Sequence, residues 1–320
     1  MKTTIVIPNY NGIKYLADCL DCLRDQTTKD FIILVVDNGS TDGSYELLEN
    51  YPEVKAIRFE ENKGFCGAVN AGIKVSDTEY VLLLNNDTKA GTAFVEKLEE
   101  AIEKDNKIFS VSARMLNMYQ PELIDDAGDL YCALGWSFAR GKDAKATEYD
   151  VPCKIFSACG GAVLYRREVF EEIGYFDERH FAYLEDLDIG YRAKIHGYYN
   201  VYQPEAEVLH AGSGFSGSRY NDFKVNLSSA NSVYVIGKNM PILQIILNTP
   251  FLLVGFTIKI FFFILKGMGI TYIKGLWRGL KMCLDRDGRK AHVPFRFKHF
   301  GNYVRIQIEL WWNMVLRFIG

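Results

Sequence analysis

No long internal repeat and no low-complexity stretch runs through the 320 residues, so no repeat array organises the chain. No basic segment followed by an apolar core opens it. Met1–Val6 passes straight into a β-branched run, and a cytoplasmic setting without a secretory leader is expected. The 7 cysteines are an odd number and read as scattered, which argues for reduced thiols. A glycine-rich, Arg- or Lys-bearing phosphate loop is missing after the first predicted strand, where Pro8–Gly12 stands instead. That counts against a nucleotidyltransferase. Gly212–Gly217 does match G-x-G-x-x-G, but no second strand follows it, only Asn239-Met240-Pro241 and an apolar helix. A dinucleotide-binding unit is therefore excluded. A mobile loop over Gly212–Ser218 that closes on a diphosphate is expected instead.

What is present is globular: 48% hydrophobic and 24% charged residues, enough for one large or two modest domains. The net charge of −3 hides an asymmetry. Lys259–Gly320 carries 12 Lys+Arg against 3 Asp+Glu, and the remainder 25 against 37. A basic, aromatic tail on an acidic body points to an anionic partner. Phe261-Phe262-Phe263 and Trp311-Trp312, set among apolar runs, favour a membrane surface over nucleic acid.

Apolar runs predict strands at Thr4–Ile7, Phe31–Val36, Val54–Phe59, Tyr80–Leu84 and Ile108–Ala113. Helical spacing between them predicts helices at Lys14–Asp25, Tyr45–Asn50, Phe65–Val75 and Thr92–Lys104. This alternation predicts an α/β fold with a mostly parallel sheet. Further on, strands are expected at Leu130–Phe138, Ile155–Phe156 and Ala162–Tyr165, and at Val201–Tyr202 and Glu207–His210 around Pro204. Helices are expected at Arg167–Ile173, Leu187–His196 and Asn221–Asn239.

The composition changes after Pro241, which divides residues 1–240 from a helical region, 241–320. Within Ile242–Leu265, Gln244, Asn248, Gly255 and Lys259, followed by Lys266, fall on one stripe of a helix. A helix lying in the membrane interface, or packed on the protein body, would be organised so. Its length also permits a span, against which Lys259 counts.

Polar clusters fall where these strands end, which is where open α/β sheets bind ligands. Asn85-Asn86-Asp87 follows Val81–Leu84. One carboxylate with two amides can hold a hard divalent cation, or can simply form a solvated turn. Asp37, with Asn38 and Ser40, could accept from a nucleobase or ribose, whereas Asp42 reads as a helix cap. Pro8-Asn9-Tyr10 offers a ring and backbone groups beside Asp37, and Lys63 and Asn70 could reach the same edge. Glu185, Asp186 and Asp188 crowd a helix N-terminus, as helix-dipole partners or as a general base. His210, at a strand end, is a structural histidine or a second metal ligand. Asp125-Asp126 and Trp136 are candidate acceptor contacts, or else an exposed turn and a core aromatic.

In order along residues 3–215 stand Ile7–Gly12, Val36–Gly43, Asn62–Phe65, Leu84–Asp87, Gly160–Ala162, Ile173–Glu178, Glu185–Asp188 and His210. Together they resemble the inverting family 2 glycosyltransferases of GT-A fold, above all the branch with bacterial rhamnosyltransferases. The resemblance implies a sugar transferred from a UDP- or dTDP-linked donor to a hydroxyl of a lipid-linked or cell-surface glycan. It implies Asp186 as general base, and Asp87 with His210 on Mg²⁺ or Mn²⁺. Asn85 stands where the family motif often has Asp. Donor contacts would come from Pro8, Asn9, Tyr10, Asp37, Lys63, Asn70, Asn85 and Asn86. Gly161, Glu185, Asp188, Asp125 and Trp136 are left to support the site or meet the acceptor. The tail resembles the membrane-associating tails of that branch, placing the protein peripherally on the cytoplasmic face, although it could pair with a second chain. A nucleotidyltransferase and a non-catalytic membrane scaffold of the same fold are the alternatives.

Overall fold

The computed structural model describes residues 1–212 and 220–319. The chain opens as β1 (Thr3–Asn9), α1 (Leu16–Arg24), β2 (Phe31–Asp37), β3 (Val54–Arg58), α2 (Gly64–Val75) and β4 (Tyr80–Leu84). It continues as β5 (Thr88–Ala90), α3 (Phe94–Ile102), β6 (Ile108–Asn117), β7 (Gln120–Asp126), β8 (Asp129–Cys132) and β9 (Trp136–Ala139). Then come β10 (Cys153–Ile155), β11 (Ala162–Arg166), α4 (Val169–Ile173), α5 (Glu185–Ile195) and β12 (Tyr199–His210). Five helices follow: α6 (Asp222–Asn239), α7 (Ile242–Leu265), α8 (Gly269–Leu284), α9 (Arg286–Ala291) and α10 (Phe300–Ile319). The helix expected at Tyr45–Asn50 is a short 3-10 turn, Glu46–Asn50.

The main sheet runs β10-β12-β6-β11-β4-β1-β2-β3, with β5 on β12 and β7 on β6. Strands β3, β2, β1 and β4 are mutually parallel. Their side chains are apolar on both faces because helices cover both, as a parallel sheet requires. Ile5, Ile7, Val35, Leu82 and Leu84 pack one face, and Val6, Val36, Val81 and Leu83 the other. β11 enters antiparallel between β4 and β6, so the sheet is mixed.

Two expected segments are drawn differently. The strand expected at Leu130–Phe138 is a separate hairpin, β8-β9. The two strands expected around Pro204 are one strand, β12, whose register against β6 slips between Gln203 and Glu207. Proline cannot donate to the ladder, and the bulge absorbs it. Cys19 and Cys22 on α1 stand at a C-x-x-C spacing that the reading of scattered cysteines overlooks. Both are free, and burial pushes Cys19 up to about 12 and raises Cys22, the opposite of a reactive redox pair.

The C-terminal helices dock through polar groups and glycines. The stripe on α7 turns inward: Gln244 accepts from Tyr191 at 2.7 Å, and Asn248 exchanges two bonds with Gln307, each 2.8 Å. Gly255 rests on the Leu134 carbonyl, where a Cβ would come within 2.2 Å. Lys259 lies over the Trp136 ring, whose Nε1 donates to the Gly255 carbonyl. α8 meets α6 through Gly275 and Gly279, and Asn313 of α10 donates to the Tyr131 carbonyl. Most of α7's other side chains face outward, among them Leu243, Ile246, Leu253, Val254, Phe261 and Leu265. Among the described residues, α7 is the one helix long and apolar enough to cross a membrane.

Candidate active site

The carboxyl ends of β1, β2 and β4 form one wall of a cavity of about 830 Å³. Asn9 and Asp37 are register partners, and Asn9 Nδ2 donates to Asp37 Oδ1 at 2.9 Å. Asn86 Nδ2 reaches across from β4 to donate to Asn9 Oδ1 at 2.7 Å. Gly12 is needed for this, since a Cβ there would lie 2.0 Å from Asn86 Nδ2. Asp37 is fully buried behind the wall, 3.7 Å from the Arg58 guanidinium. Pro8, Asn9, Tyr10, Asn85, Asn86 and Asp87 line the cavity from this side.

The short strand β5 brings a distant residue to Asp87. Thr88 pairs with His210 across the β5–β12 ladder, and Ala211 N–H donates to the Asp87 carbonyl. His210 Nε2 thus sits 3.3 Å from Asp87 Oδ1, while Nδ1 sits 2.7 Å from Asp125 Oδ2. Burial opposes a charged imidazole, but hydrogen bonds to Asp125 and Asp87 raise His210 to about 9. Oxygen ligands at about 2.0–2.6 Å from one hard cation leave neighbouring donor atoms near this separation. A carboxylate on the far ring nitrogen is how metal-bound histidines are commonly held. No lysine or arginine lines the cavity among the described residues, so a cation is needed if a diphosphate is to enter. The residues present therefore fit a divalent ion.

The opposite wall carries Asp186, in the first turn of α5 and partly open to the cavity. Burial pushes its carboxyl up to about 6, even though the backbone amides of Leu187 and Gly160 favour the charged form. The preceding loop is strained: Phe181, Tyr183 and Leu184 all have positive φ, at 62°, 70° and 66°. Such conformations cost about 1–3 kcal/mol each and persist only where the surroundings impose them. Two features do so. Gly64, itself at φ 76°, leaves room for Phe181, whose ring a Cβ would meet at 2.6 Å. The fully buried Asn231 of α6 donates to the carbonyls of His180, Ala182 and Tyr183 at 3.0, 3.0 and 2.7 Å.

Beside Asp186 the cavity is lined by Glu185, Asp126, Asp129 and Cys159. Burial pushes Glu185 up to about 8 and Asp126 to about 7, and raises Asp129 well above the usual range; neighbouring carboxylates add to each.

Besides Asp37 and His210, which stand behind the lining, five candidates are not brought to this cavity. Lys63 is exposed and lies over the Phe59 ring. Asn70 is buried under α2, donating to the Phe176 carbonyl and to Glu178. Asp188 is sealed among Arg192, Lys238 and Asn239. Burial works against its charge, yet the two cations hold it far below the usual carboxylate range. Trp136 serves the docking of α7, and Asp125 orients His210, so neither lines the cavity. Gly161 and Glu185 do. Of the loop expected to close over a diphosphate, residues 213–218 lie outside the described residues. Sequence reasoning missed Asp129 and Asn231. It singled out Asp126 only as half of an acidic pair. The signal for Asn231 was present: an amide at a buried position of a helix must find partners.

Comparison with known proteins bears on the family and the fold. A family model described as Glycosyl transferase family 2 matches residues 4–174. An N-acetylglucosaminyl-diphospho-decaprenol L-rhamnosyltransferase of Mycobacterium tuberculosis is 27% identical over 232 residues, 64% of this chain and 75% of its own. An uncharacterized Bacillus subtilis glycosyltransferase, YwdF, is 28% identical over 180 residues, 55% and 62% of the two chains. Among solved structures, GalNAc-T7 with UDP, GalNAc and Mn²⁺ superposes with TM-score 0.60 at 19% identity, over 74% of this chain and 47% of that one. The Pyrobaculum calidifontis mannosyltransferase PcManGT with GDP-Man and Mn²⁺ superposes with TM-score 0.52 at 16% identity, over 98% and 87%. These likenesses give the fold as GT-A.

Proposed function

The chain belongs to glycosyl transferase family 2, and on that footing we propose that it is an inverting, metal-dependent transferase. It moves a sugar from a UDP- or dTDP-linked donor, rhamnose being one candidate, to a hydroxyl of a lipid-linked or cell-surface glycan. One observation carries the reading. A carboxylate poised near neutrality, Asp186, faces the same cavity as Asp87, the partner of His210. The acceptor hydroxyl gives its proton to Asp186 while its oxygen bonds to the anomeric carbon. The bond from that carbon to the diphosphate breaks on the opposite face, and its electron pair leaves with the diphosphate. Asn9, Tyr10, Asn85 and Asn86 hold the nucleotide, with Asp37 fixing Asn9. Asp87 and His210 would hold Mg²⁺ or Mn²⁺, which when bound offsets the charge gathering on the leaving group.

The outward apolar residues of α7, α8 and α10, with Lys266, Lys274 and Lys281 beside them, support peripheral attachment to an anionic membrane at its cytoplasmic face. Residues 1–240 then form the catalytic unit and 241–320 the attachment. A panel of nucleotide sugars, assayed with Mn²⁺, Mg²⁺ or chelator, tests the chemistry. Release of nucleoside diphosphate from one donor is expected, lost on chelation and reduced about 100-fold or more in Asp87→Ala. Pyrophosphate release from a nucleoside triphosphate, or no turnover with any donor, would overturn it.

A further inference from the structure

The two walls of the cavity differ in kind. The β1–β4 wall presents amides, and Asp87 with its histidine. The facing wall presents Asp126, Asp129, Glu185 and Asp186 with no cationic side chain among the described lining residues. Carboxylate oxygens of Asp126 and Asp129 and the Cys159 Sγ all lie within 4.8 Å of one another. Glu185, 7% exposed, lines the same cavity, and its Oε2 has no hydrogen-bond partner. A buried, unpartnered carboxylate oxygen is costly, and a ligand that donates to it removes the cost. Asp126 does have one partner, the Gly128 N–H at 2.6 Å, which fixes that carboxylate and leaves its other oxygen available.

Resting on the transferase reading, we propose that Asp126, Asp129 and Glu185 form the acceptor subsite, and that it selects a neutral, polyhydroxylated sugar over an anionic one. The Asp126 and Asp129 carboxylate oxygens lie within 4.8 Å of each other, close enough for two neighbouring ring hydroxyls to donate one to each. Hydroxyls donate and accept, and they suit carboxyls whether ionised or protonated. A uronate or a sugar phosphate would bring a full negative charge beside Asp186 and the ionised fraction of these carboxyls, where the described lining residues include no cation, and this contact costs affinity. Any phosphate of a lipid-linked acceptor must then lie outside this subsite, with the neutral sugar inward.

The test needs no turnover. Binding of octyl β-glucoside and octyl β-glucuronide to the full chain is measured by titration, below the micelle-forming concentration. Wild type is expected to bind the glucoside at least tenfold more tightly than the glucuronide. Asp129→Asn keeps the shape and is expected to halve that preference or more, and Asp126→Asn/Asp129→Asn to abolish it. Binding of UDP or dTDP with Mn²⁺, whichever wild type binds, read in the same samples, reports that the variants are folded. Equal binding of the two glycosides by wild type, or an unchanged preference in the double variant, would overturn the subsite. Failure of wild type to bind either UDP or dTDP with Mn²⁺ would instead strike the transferase reading, so the two failures are distinguishable.

Discussion

The cavity and the helix α7 arrange polarity in opposite ways. Around the cavity, Asn9, Asn86, Asp87 and Asp186 face open space, and apolar side chains of the sheet pack behind them. On α7 it is Gln244 and Asn248 that are buried, and Leu253, Val254 and Phe261 that face out. Burying a polar group is tolerable only if it is hydrogen-bonded, and α7 meets that condition at Asn248, paired with Gln307, and at the Gln244 Oε1, which accepts from Tyr191, while the Gln244 Nε2 is buried without a partner. A cavity with polar walls is ready for a polar ligand. A helix with its apolar side out is ready for a cover, since scattered exposed apolar residues are ordinary but a contiguous face is not.

The largest effect that would sharpen this contrast lies on α7. Each outward leucine or valine should contribute about 1.5–3 kcal/mol when covered by lipid. The double change Leu253→Glu/Val254→Glu is therefore expected to weaken binding to vesicles rich in phosphatidylserine by about 100-fold. Unchanged vesicle binding would break the contrast, and a dimer by sedimentation without vesicles would give the cover to a second copy.

A smaller effect is expected where α6 meets the cavity. Asn231→Ala leaves the carbonyls of His180, Ala182 and Tyr183 without their donor, at about 1–3 kcal/mol. If that amide positions Asp186, kcat falls about tenfold and the acid limb of the pH profile moves, with the donor KM kept. A loss of thermal stability with neither change would make Asn231 merely structural.

The smallest effect is in pH dependence. Asp186 must be ionised to take a proton, so the rate should rise with pH through an apparent value near its raised pKa of about 6. Stability should run the other way in this region. Asp126 and Glu185 are raised to about 7 and about 8, above unfolded values of roughly 3.9 and 4.3, so the folded state binds more protons. Their contribution is complete below about pH 4 and is lost as pH rises through 7 to 8. Asp126→Asn should accordingly raise Tm more at pH 8 than at pH 5, and an equal rise at both would contradict this.

The sheet was legible because parallel strands read as apolar runs and their polar ends announce the ligand edge. That is why Asn9 and Asp87 could be placed at this edge from the sequence, whereas Asp37, expected to meet the donor itself, is buried behind the lining and accepts from Asn9 instead. The meeting of Asp87 with His210 depends on β5, whose three residues, Thr88-Lys89-Ala90, carry no strand signal of their own. Lys63 and Asn70 misled because sequence spacing places a residue near an edge without saying which way it turns. Asp188 misled because three nearby carboxylates look alike until Arg192 and Lys238 claim one of them. The stripe on α7 was visible, but only its neighbours show that it faces the body of the protein.

The central claim is that Asp186 is the base facing the metal-bound donor across the cavity, and Asp186→Asn tests it most directly. With donor and acceptor at saturation, transfer should fall by about a thousandfold, in the range of lost general-base catalysis, while donor binding with Mn²⁺ stays within about twofold. Transfer at the wild-type rate in that variant would contradict the account.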